Sequence, residues 1–433
     1  MGIKVLDLKA RHAKEMRFKI YGLSAITLGL LCVLALFSSV LAAGLPAFKQ
    51  TFIQLQMDLP AAKLDKTGTR DPEKMKKVST IGYSKVIRDQ LQQNLKDAGI
   101  DFSKLDKKQL KNMISKEAPA QLRDAVLEDP SLLDRPFDFE VLANGRIDGY
   151  YKGRVTFETA ALDVMISPDQ LVLADAMKAA GLLKTRFNGQ FFYWPDASDL
   201  RPEAAGLGVA LLGSLYMVII VFVLAVPLSV CTAVFLEEFA PKNWFTDLIE
   251  INISNLAAVP SIVFGILGLS FFINFMDLPQ SAPIVGGLCL TLMTLPTVII
   301  AARAAIKAVP PSIKSAALGL GASRVQAVFH HVLPSAAPGI LTGTILGLAQ
   351  ALGETAPLLL IGMVAFVREY PSLSPDGIFD PSTALPVQIY NWTVRGDPAF
   401  VERASGAIIV LLCFMITMNA LAIILRRRVE KRW

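Results

Sequence analysis

Residues with chemistry of their own are scarce in this chain of 433 residues. Histidine occurs three times, as His12, His330 and His331, too few for a histidine metal cluster. Cysteine occurs four times, as Cys32, Cys231, Cys289 and Cys413. Each thiol sits inside an apolar run without CxxC spacing, so it reads as a small apolar side chain, not as half of a disulfide or a zinc ligand. No GxxxxGK[ST] loop is present, which excludes the phosphate cradle by which a chain would hold ATP itself. Gly319-Leu320-Gly321 lacks the third glycine of a dinucleotide fingerprint and follows no strand pattern. No catalytic constellation is visible, and neither enzyme chemistry nor a cofactor is expected. Charge is thin as well: 18% of residues are charged, against about a quarter in soluble domains. The net charge of +6 is not arranged as a basic stripe interleaved with aromatics, so nucleic acid is not an expected partner.

What the chain has in excess is apolar sequence. Hydrophobic residues make up 53% of it, and the mean hydropathy is +0.47. A helix rising about 1.5 Å per residue needs about 20 apolar residues to cross roughly 30 Å of hydrocarbon. Six runs meet that requirement, near 20–43, 207–235, 251–275, 283–302, 340–366 and 404–425. Pro260 and Pro296 lie in the third and fourth, which membrane helices tolerate when neighbours satisfy the freed carbonyls. The first run is longer than the apolar core of a signal peptide, so it is expected to stay as an anchor, although Val40-Leu41-Ala42 could pass for a cleavage site. The fold class expected is an α-helical integral membrane protein of about six transmembrane helices with one inserted extracytoplasmic α/β domain.

Orientation follows from basic residues in short loops. The N-terminal segment carries Arg11, Lys14, Arg17 and Lys19, and the C-terminal one runs from Arg426-Arg427-Arg428 through Lys431-Arg432. The 303–337 loop carries Arg303, Lys307, Lys314 and Arg324 and no acid. An even number of spans puts all three on the cytoplasmic side. The segment near 237–250, with Glu237, Glu238, Asp247 and Glu250, fits the rule poorly. Three domains result: 1–46, the N-terminus and first span; 47–205, a hydrophilic block outside the cytoplasm; and 206–433, the remaining spans. Within the block, Leu105, Leu110, Met113 and Ile114 predict a helix over 103–117, and a second helix is expected over 168–180, ended by Gly181. Strand-like stretches fall at 150–166 and 186–194. The block is either a structural spacer or a docking surface for a binding protein.

The 303–337 loop holds the most informative pattern. Ser315-Ala316-Ala317 is followed after three residues by Gly321, and Leu333-Pro334 comes further on. The spacing predicts a helix, a glycine turn and a second helix with Val325, Val328, Phe329 and Val332 on one face. Small residues at Ala316, Ala317, Gly319 and Gly321 leave a shallow surface for another protein. The alternative is an interfacial amphipathic helix. This loop resembles the EAA motif of ABC importer permeases, which runs EAA, three residues, Gly, nine residues, I-x-L-P. Ser315 stands where glutamate is usual and His331 where isoleucine is usual. Gly353-Glu354-Thr355-Ala356-Pro357-Leu358-Leu359, with Pro338-Gly339-Ile340-Leu341-Thr342-Gly343 before it, is similar to the PstA permease family of phosphate uptake. Ala205-Gly206 to Gly213-Ser214 and Leu385-Pro386 fit that family too.

The resemblance implies an inorganic phosphate importer driven by ATP, with Ser315, Ala316, Ala317, Gly321, Leu333 and Pro334 coupling the spans to a separate ATPase. Implied partners are a second permease subunit of PstC type, ATPase subunits of PstB type, an extracytoplasmic phosphate-binding protein of PstS type, and membrane lipid. Sulfate, molybdate and phosphonate remain open as cargo. An ion-driven secondary transporter is disfavoured because no internal repeat is visible. Arg303, Gln350, Glu354 and Thr355 are the candidate translocation residues. Glu354 is expected near the middle of the fifth span, beside a ridge of Gly339, Gly343, Gly347 and Ala351 that recurs every four residues. It is either a carboxylate locking two helices or a gate. The family often has arginine at the position of Gln350, so a cation for Glu354 is expected from another helix or subunit.

Overall fold

The computed structural model describes residues 8–64, 70–363 and 366–429. Lys431 and Arg432 of the basic C-terminus therefore lie outside the described residues, as do positions 364 and 365 of the fifth apolar run.

The first apolar run forms α1 (Leu8–Gly44), which ends where Leu45-Pro46 tightens the chain into a short turn. Its C-terminal end touches the last long helix of the chain so closely that a Cβ on Gly44 would sit 2.6 Å from the main-chain oxygen of Ser405.

The inserted block is built on a three-stranded antiparallel sheet of β1 (Lys49–Asp58), β2 (Pro136–Leu142) and β3 (Leu183–Phe187), with β1 in the centre. Ile53 pairs with Val141 on one side and Leu183 on the other. In β1, Ile53, Leu55 and Met57 alternate with Gln54 and Gln56, and that period of two turns the apolar set onto a core shared with helices. Those helices are α2 (Thr80–Asp97), α3 (Lys107–Lys111), α4 (Ala118–Glu128), α5 (Gly145–Tyr151) and α6 (Pro168–Ala179). Leu91, Leu95, Leu122, Val126, Leu171 and Met177 are buried against the sheet.

Several local expectations need correction. The helix expected over 103–117 is only α3, because Asp106 and Gln109 close a capping box that starts it and Asn112 ends it. The apolar stripe Leu105, Leu110, Met113 and Ile114 is buried nonetheless. The stretch 150–166 is not a strand. Thr156 and Thr159 form a capping box there and launch the short helix Phe157–Leu162. Of 186–194, only the first two residues belong to β3, and Gln190–Tyr193 is a helical turn. The helix over 168–180 is present, and Gly181 follows it with φ +79°.

The permease part begins with α7 (Gly208–Val234), which widens into a turn over Phe235–Phe239. It continues with α8 (Trp244–Ala257), α9 (Ser261–Leu267), α10 (Pro283–Lys307), α11 (Pro311–Gly319), α12 (Arg324–Ala327), α13 (Leu333–Gly353), α14 (Ala356–Leu360), α15 (Leu385–Val394) and α16 (Pro398–Val429). Among the described residues, five helices are long and apolar enough to span a membrane, and a sixth crossing exists if α8 and α9 are one broken span. They meet at an angle of 103°. The bend falls at Pro260, so 251–275 is not the straight span expected from its hydropathy. The fifth span also shifts. Continuous helix runs from Arg324 to Gly353 and stops there, instead of reaching 366.

Helix α10 is the centre of the bundle. On one side Gly286 and Gly287 let Met217 and Ile220 of α7 approach. On the other side the glycine ridge of α13 lies against it. A Cβ on Gly343 would meet that of Ala301 at 2.2 Å, one on Gly339 that of Ala305 at 2.6 Å, and one on Gly347 the side chains of Thr294 and Val298 at 2.9 Å. The sequence of partners shows α10 and α13 to be antiparallel.

Candidate functional site

The loop-side end of the bundle holds the motif residues. Helix α11 starts at Pro311, with Pro310 as its N-cap, and ends in a turn closed by Gly321 N–H donating to Leu318 O at 3.0 Å and Ala322 N–H to Ala317 O at 3.1 Å. Gly321 has φ +89°, a conformation that suits a residue without a side chain. Ser323 then caps α12 through Gln326 N–H at 3.2 Å. Ser315, Ala316, Gly319, Gly321 and Pro334 are exposed, Leu333 is half-buried, and Ala317 is buried. The apolar face of the second helix divides. Val328 and Val332 turn into the bundle, while Val325 and Phe329 face outward beside Leu318 and the almost fully exposed Leu320. The wide turn over Val328–Val332 shifts the register and so splits a stripe that a regular helix would keep together.

Arg303 lies just above this loop. Its Nε contacts Glu237 at 2.6 Å, and its Nη2 contacts Glu250 at 2.7 Å. Lys307 adds a contact to Glu237 at 3.4 Å, and Lys314 of α11 pairs with Glu238. Glu237, Glu238 and Glu250 are thus counter-charges of the basic loop, which accounts for their position on a basic face. Arg303, with two carboxylates on its guanidinium, joins helices here and presents no free cation.

Glu354, Thr355 and Gln350 sit where α13 breaks. Pro357 has no N–H to give to the carbonyl of Gly353, and Glu354 is extended, with ψ 129°. Thr355 then opens α14, whose Pro357 backbone lies against α9: a Cβ on Gly265 would be 2.7 Å from Pro357 Cα. Ala351, Leu352 and Leu358 share a small notch with Leu290 of α10, seven residues from its first residue, Pro283. Seven residues rise about 10 Å, so Glu354 lies in the third of the span nearest the inserted domain and not at its middle. The notch has a volume of about 10 Å³ and is lined mainly by apolar groups, so it leaves room for about one water and no larger solute. Glu354 and Thr355 are half-buried, whereas Leu346, Gln350 and Gly353 form an exposed face of α13. The Glu354 N–H donates to Ala351 O at 3.3 Å, but among the described residues its carboxylate has no ion pair and no hydrogen bond.

A third cluster was not foreseen in the sequence. The face of the sheet turned away from the domain core carries Phe52 and Leu142, and it packs with Phe191, Trp392, Phe400 and Ala404. Charged groups are buried at this joint. Lys152 Nζ contacts Asp148 at 2.6 Å and Glu402 of α16 at 2.9 Å, and Arg154 reaches Glu402 at 2.6 Å. Arg403 donates to Gln50 Oε1 at 2.5 Å and to Glu203 O at 3.1 Å. Ser115 Oγ donates to Glu203 Oε1 at 2.5 Å. Glu203 is fully enclosed, and burial pushes its carboxyl up to about 7, against the hydrogen bond from Ser115. Nearby, Trp392 Nε1 donates to Asp196 at 2.8 Å and Arg395 pairs with the same carboxylate at 2.7 Å. The sequence signal at this joint is the pair Glu402-Arg403 directly before an apolar run.

The chain resembles known proteins in two sections. Residues 6–161 match a domain of unknown function, DUF3333, and residues 204–433, more than half of the chain, match the binding-protein-dependent transport system inner membrane component. The "Probable ABC transporter permease protein YqgI" of Bacillus subtilis is 35% identical over 230 residues, which cover 50% of this chain and 78% of the relative. The "Phosphate transport system permease protein PstA 1" of Mycobacterium tuberculosis H37Rv is 33% identical over 223 residues, 52% of this chain and 70% of the relative. The "Phosphate transport system permease protein PstC" of Pasteurella multocida is 30% identical over 270 residues, 56% of this chain and 82% of the relative. With its spanning helices and the helix–glycine–helix loop at their end, the chain belongs to the family of binding-protein-dependent transport system inner membrane components, the permeases of ABC importers.

Proposed function

We propose that the chain is a permease subunit of an ATP-driven importer of inorganic phosphate. The observation that carries this reading is the loop of α11 and α12, an exposed helix pair joined by Gly321 and tied to the bundle by the Lys314–Glu238 ion pair, in a chain about half of which is 33% identical to a phosphate transport permease. Positive-inside bias puts both termini and this loop in the cytoplasm and residues 47–205 outside. Leu318, Leu320, Val325 and Phe329 then form an apolar surface for a separate ATPase. Movement of α11 is passed to α7 through Lys314 and Glu238, and movement of α10 through Arg303 and Glu237.

The exposed face of α13, with Leu346, Gln350 and Gly353, is the wall of the pathway in this reading. Gln350 is a polar group that lipid would not satisfy, so this face meets a second permease subunit across a wet passage. The bare carboxylate of Glu354 would repel phosphate, and its cation comes from that second subunit. A separate binding protein delivers the anion from the side of residues 47–205.

Reconstitution with a PstC-type permease, a PstB-type ATPase and a PstS-type binding protein tests the reading. ATP-dependent uptake of labelled phosphate, with sulfate, molybdate and phosphonate competing poorly, is the expected result. Preferential uptake of one of those anions, or uptake without any ATPase subunit, would overturn it. Cysteines placed at Lys108 and Arg427 should react with an impermeant reagent from opposite sides.

A further inference from the structure

The inserted domain has an open cleft of about 640 Å³ lined by six cationic side chains, Arg88, Lys108, Lys111, Lys116, Arg201 and Arg368, and by no carboxylate. They come from α2, α3, the segment after α3, the chain just before α7, and the chain that follows α14. Two acids stand nearby. Glu117 is shared between Arg201 and Arg368, and Asp89 lies 2.9 Å from Arg88. Lys108, Lys111 and Lys116 have no acidic partner among the described residues.

Isolated surface lysines would turn into solvent and need no explanation. Arg88 and Arg201 cannot do so: their side chains are only 25% and 19% exposed. Arg88 Nε is buried and has no acceptor. A concave site lined by one sign of charge focuses its potential and raises the local concentration of counter-ions. Guanidinium forks and ammonium groups together match the oxygens of a multiply charged oxyanion.

We propose that this cleft is a binding site for a small oxyanion carrying two or more negative charges, free or as a phosphate monoester. The site is separate from the pathway face of α13 and stands whichever anion the spans carry. It is also wired to them: Ser115, at its wall, holds Glu203, and the main chain of Glu203 accepts from Arg403 of α16.

The test uses the full chain purified in a neutral detergent, without binding protein or ATPase. Inorganic phosphate, sulfate and glycerol phosphate are titrated by calorimetry at constant ionic strength set with chloride. Saturable binding of at least one of them is expected. Combined Lys108→Ala, Lys111→Ala and Lys116→Ala should weaken it by about tenfold or more with an unchanged melting midpoint, since all three are exposed and unpaired. Combined Lys77→Ala, Lys96→Ala and Lys104→Ala, which removes three exposed lysines outside the cleft, should leave it unchanged. Tighter glycerol phosphate binding would assign the occupant to an ester or lipid headgroup and still support the cleft. No saturable binding, or equal weakening by both triple variants, overturns the proposal and leaves the transport reading untouched.

Discussion

Lys152 and Glu402 are 250 residues apart in the chain and 2.9 Å apart in space. The contact joins the inserted domain to the first turns of the last span, and both side chains are about 95% buried, at 4% and 5% exposure. Burying two charges is unfavourable unless each keeps its partner. Glu402→Ala would leave Lys152 and Arg154 to share Asp148 alone, at 2.6 and 3.7 Å. A loss of about 2–3 kcal/mol is expected, below the roughly 3–5 kcal/mol of a buried pair broken outright, because Asp148 remains. Chemical denaturation in detergent, followed through the domain, measures it. Glu402→Leu with Lys152→Met should recover much of that loss. If Glu402→Ala costs no more than an exposed substitution, the joint is held by its apolar face alone.

Glu203 makes the same joint sensitive to pH. Its carboxyl is raised from 4.5 to about 7 by burial. The folded chain therefore keeps a proton that the unfolded chain releases between those values, and stability falls as pH rises across that window. The contribution is fully present below 4.5 and lost as pH passes 7, with a ceiling of about 3 kcal/mol. Glu203→Gln, which can still accept from Ser115, should flatten the dependence. The quantity to compare is the difference in melting midpoint between the two proteins from pH 4.5 to 8. A difference that does not vary with pH would remove Glu203 as the titrating group.

The spans, the glycine turn at 321 and the ridge of α13 were all legible in the sequence, because hydropathy and small-residue spacing are local signals. The break at Glu354 was half legible: Pro357 announced a loosened backbone, but hydropathy ran on through it to 366. Strand β1 was present as the alternation of Ile53, Leu55 and Met57 with glutamines, and its position directly after a span hid it. The joint could not be read at all. Nothing near Lys152 in the sequence points to Glu402, and an ion pair across 250 residues leaves no periodic trace. Likewise the partners of Arg303 lie two helices earlier, so its charge looked free.

The glycine ridge supports a packing prediction. Gly343 faces Ala301 so closely that its missing Cβ would stand 2.2 Å from that of Ala301. Gly343→Val should force α13 away from α10 and cost on the order of 1–3 kcal/mol or more, as overpacking does. A lowered melting midpoint and reduced insertion of intact protein are the expected readings. Gly353→Ala is the control, because nothing lies within 4 Å of a Cβ there. Equal behaviour of the two variants would contradict the close approach of the helices.

Substitution of Gly321 can separate folding from the proposed coupling. At φ +89° a side chain costs roughly 1–2 kcal/mol, an amount the spans can absorb. Gly321→Leu should leave the bundle inserted but distort the turn that sets α11 against α12. With the ATPase subunit present, ATP hydrolysis should continue while uptake drops by about tenfold or more. Parallel assays of hydrolysis and uptake on the same vesicles read the split. Normal uptake would show that the angle between the two helices is not used.

Glu354 is the sharpest test of the pathway. The carboxylate sits where α13 ends, half-buried in the domain-side third of the span, without an ion pair or hydrogen bond among the described residues. An unpaired acid inside a span is unfavourable, though by less than the roughly 3 kcal/mol of the helix centre, and lipid cannot supply a partner. Its neighbours on the exposed face, Gln350 and Gly353, have room beside them in the single chain. On the proposed reading, a second permease subunit seated on that face supplies the cation, and the pair forms where the anion passes. Glu354→Gln keeps the shape and removes the charge. Assembly with the second permease and the ATPase should persist, whereas uptake should fall by at least about tenfold, the equivalent of 1.4 kcal/mol. Glu354→Asp, which keeps the charge on a shorter arm, should retain part of the activity. Co-purification measures the first effect, and labelled-anion uptake the second. If Glu354→Gln transports at the rate of the unsubstituted protein, the charge is dispensable and Glu354 only terminates the helix.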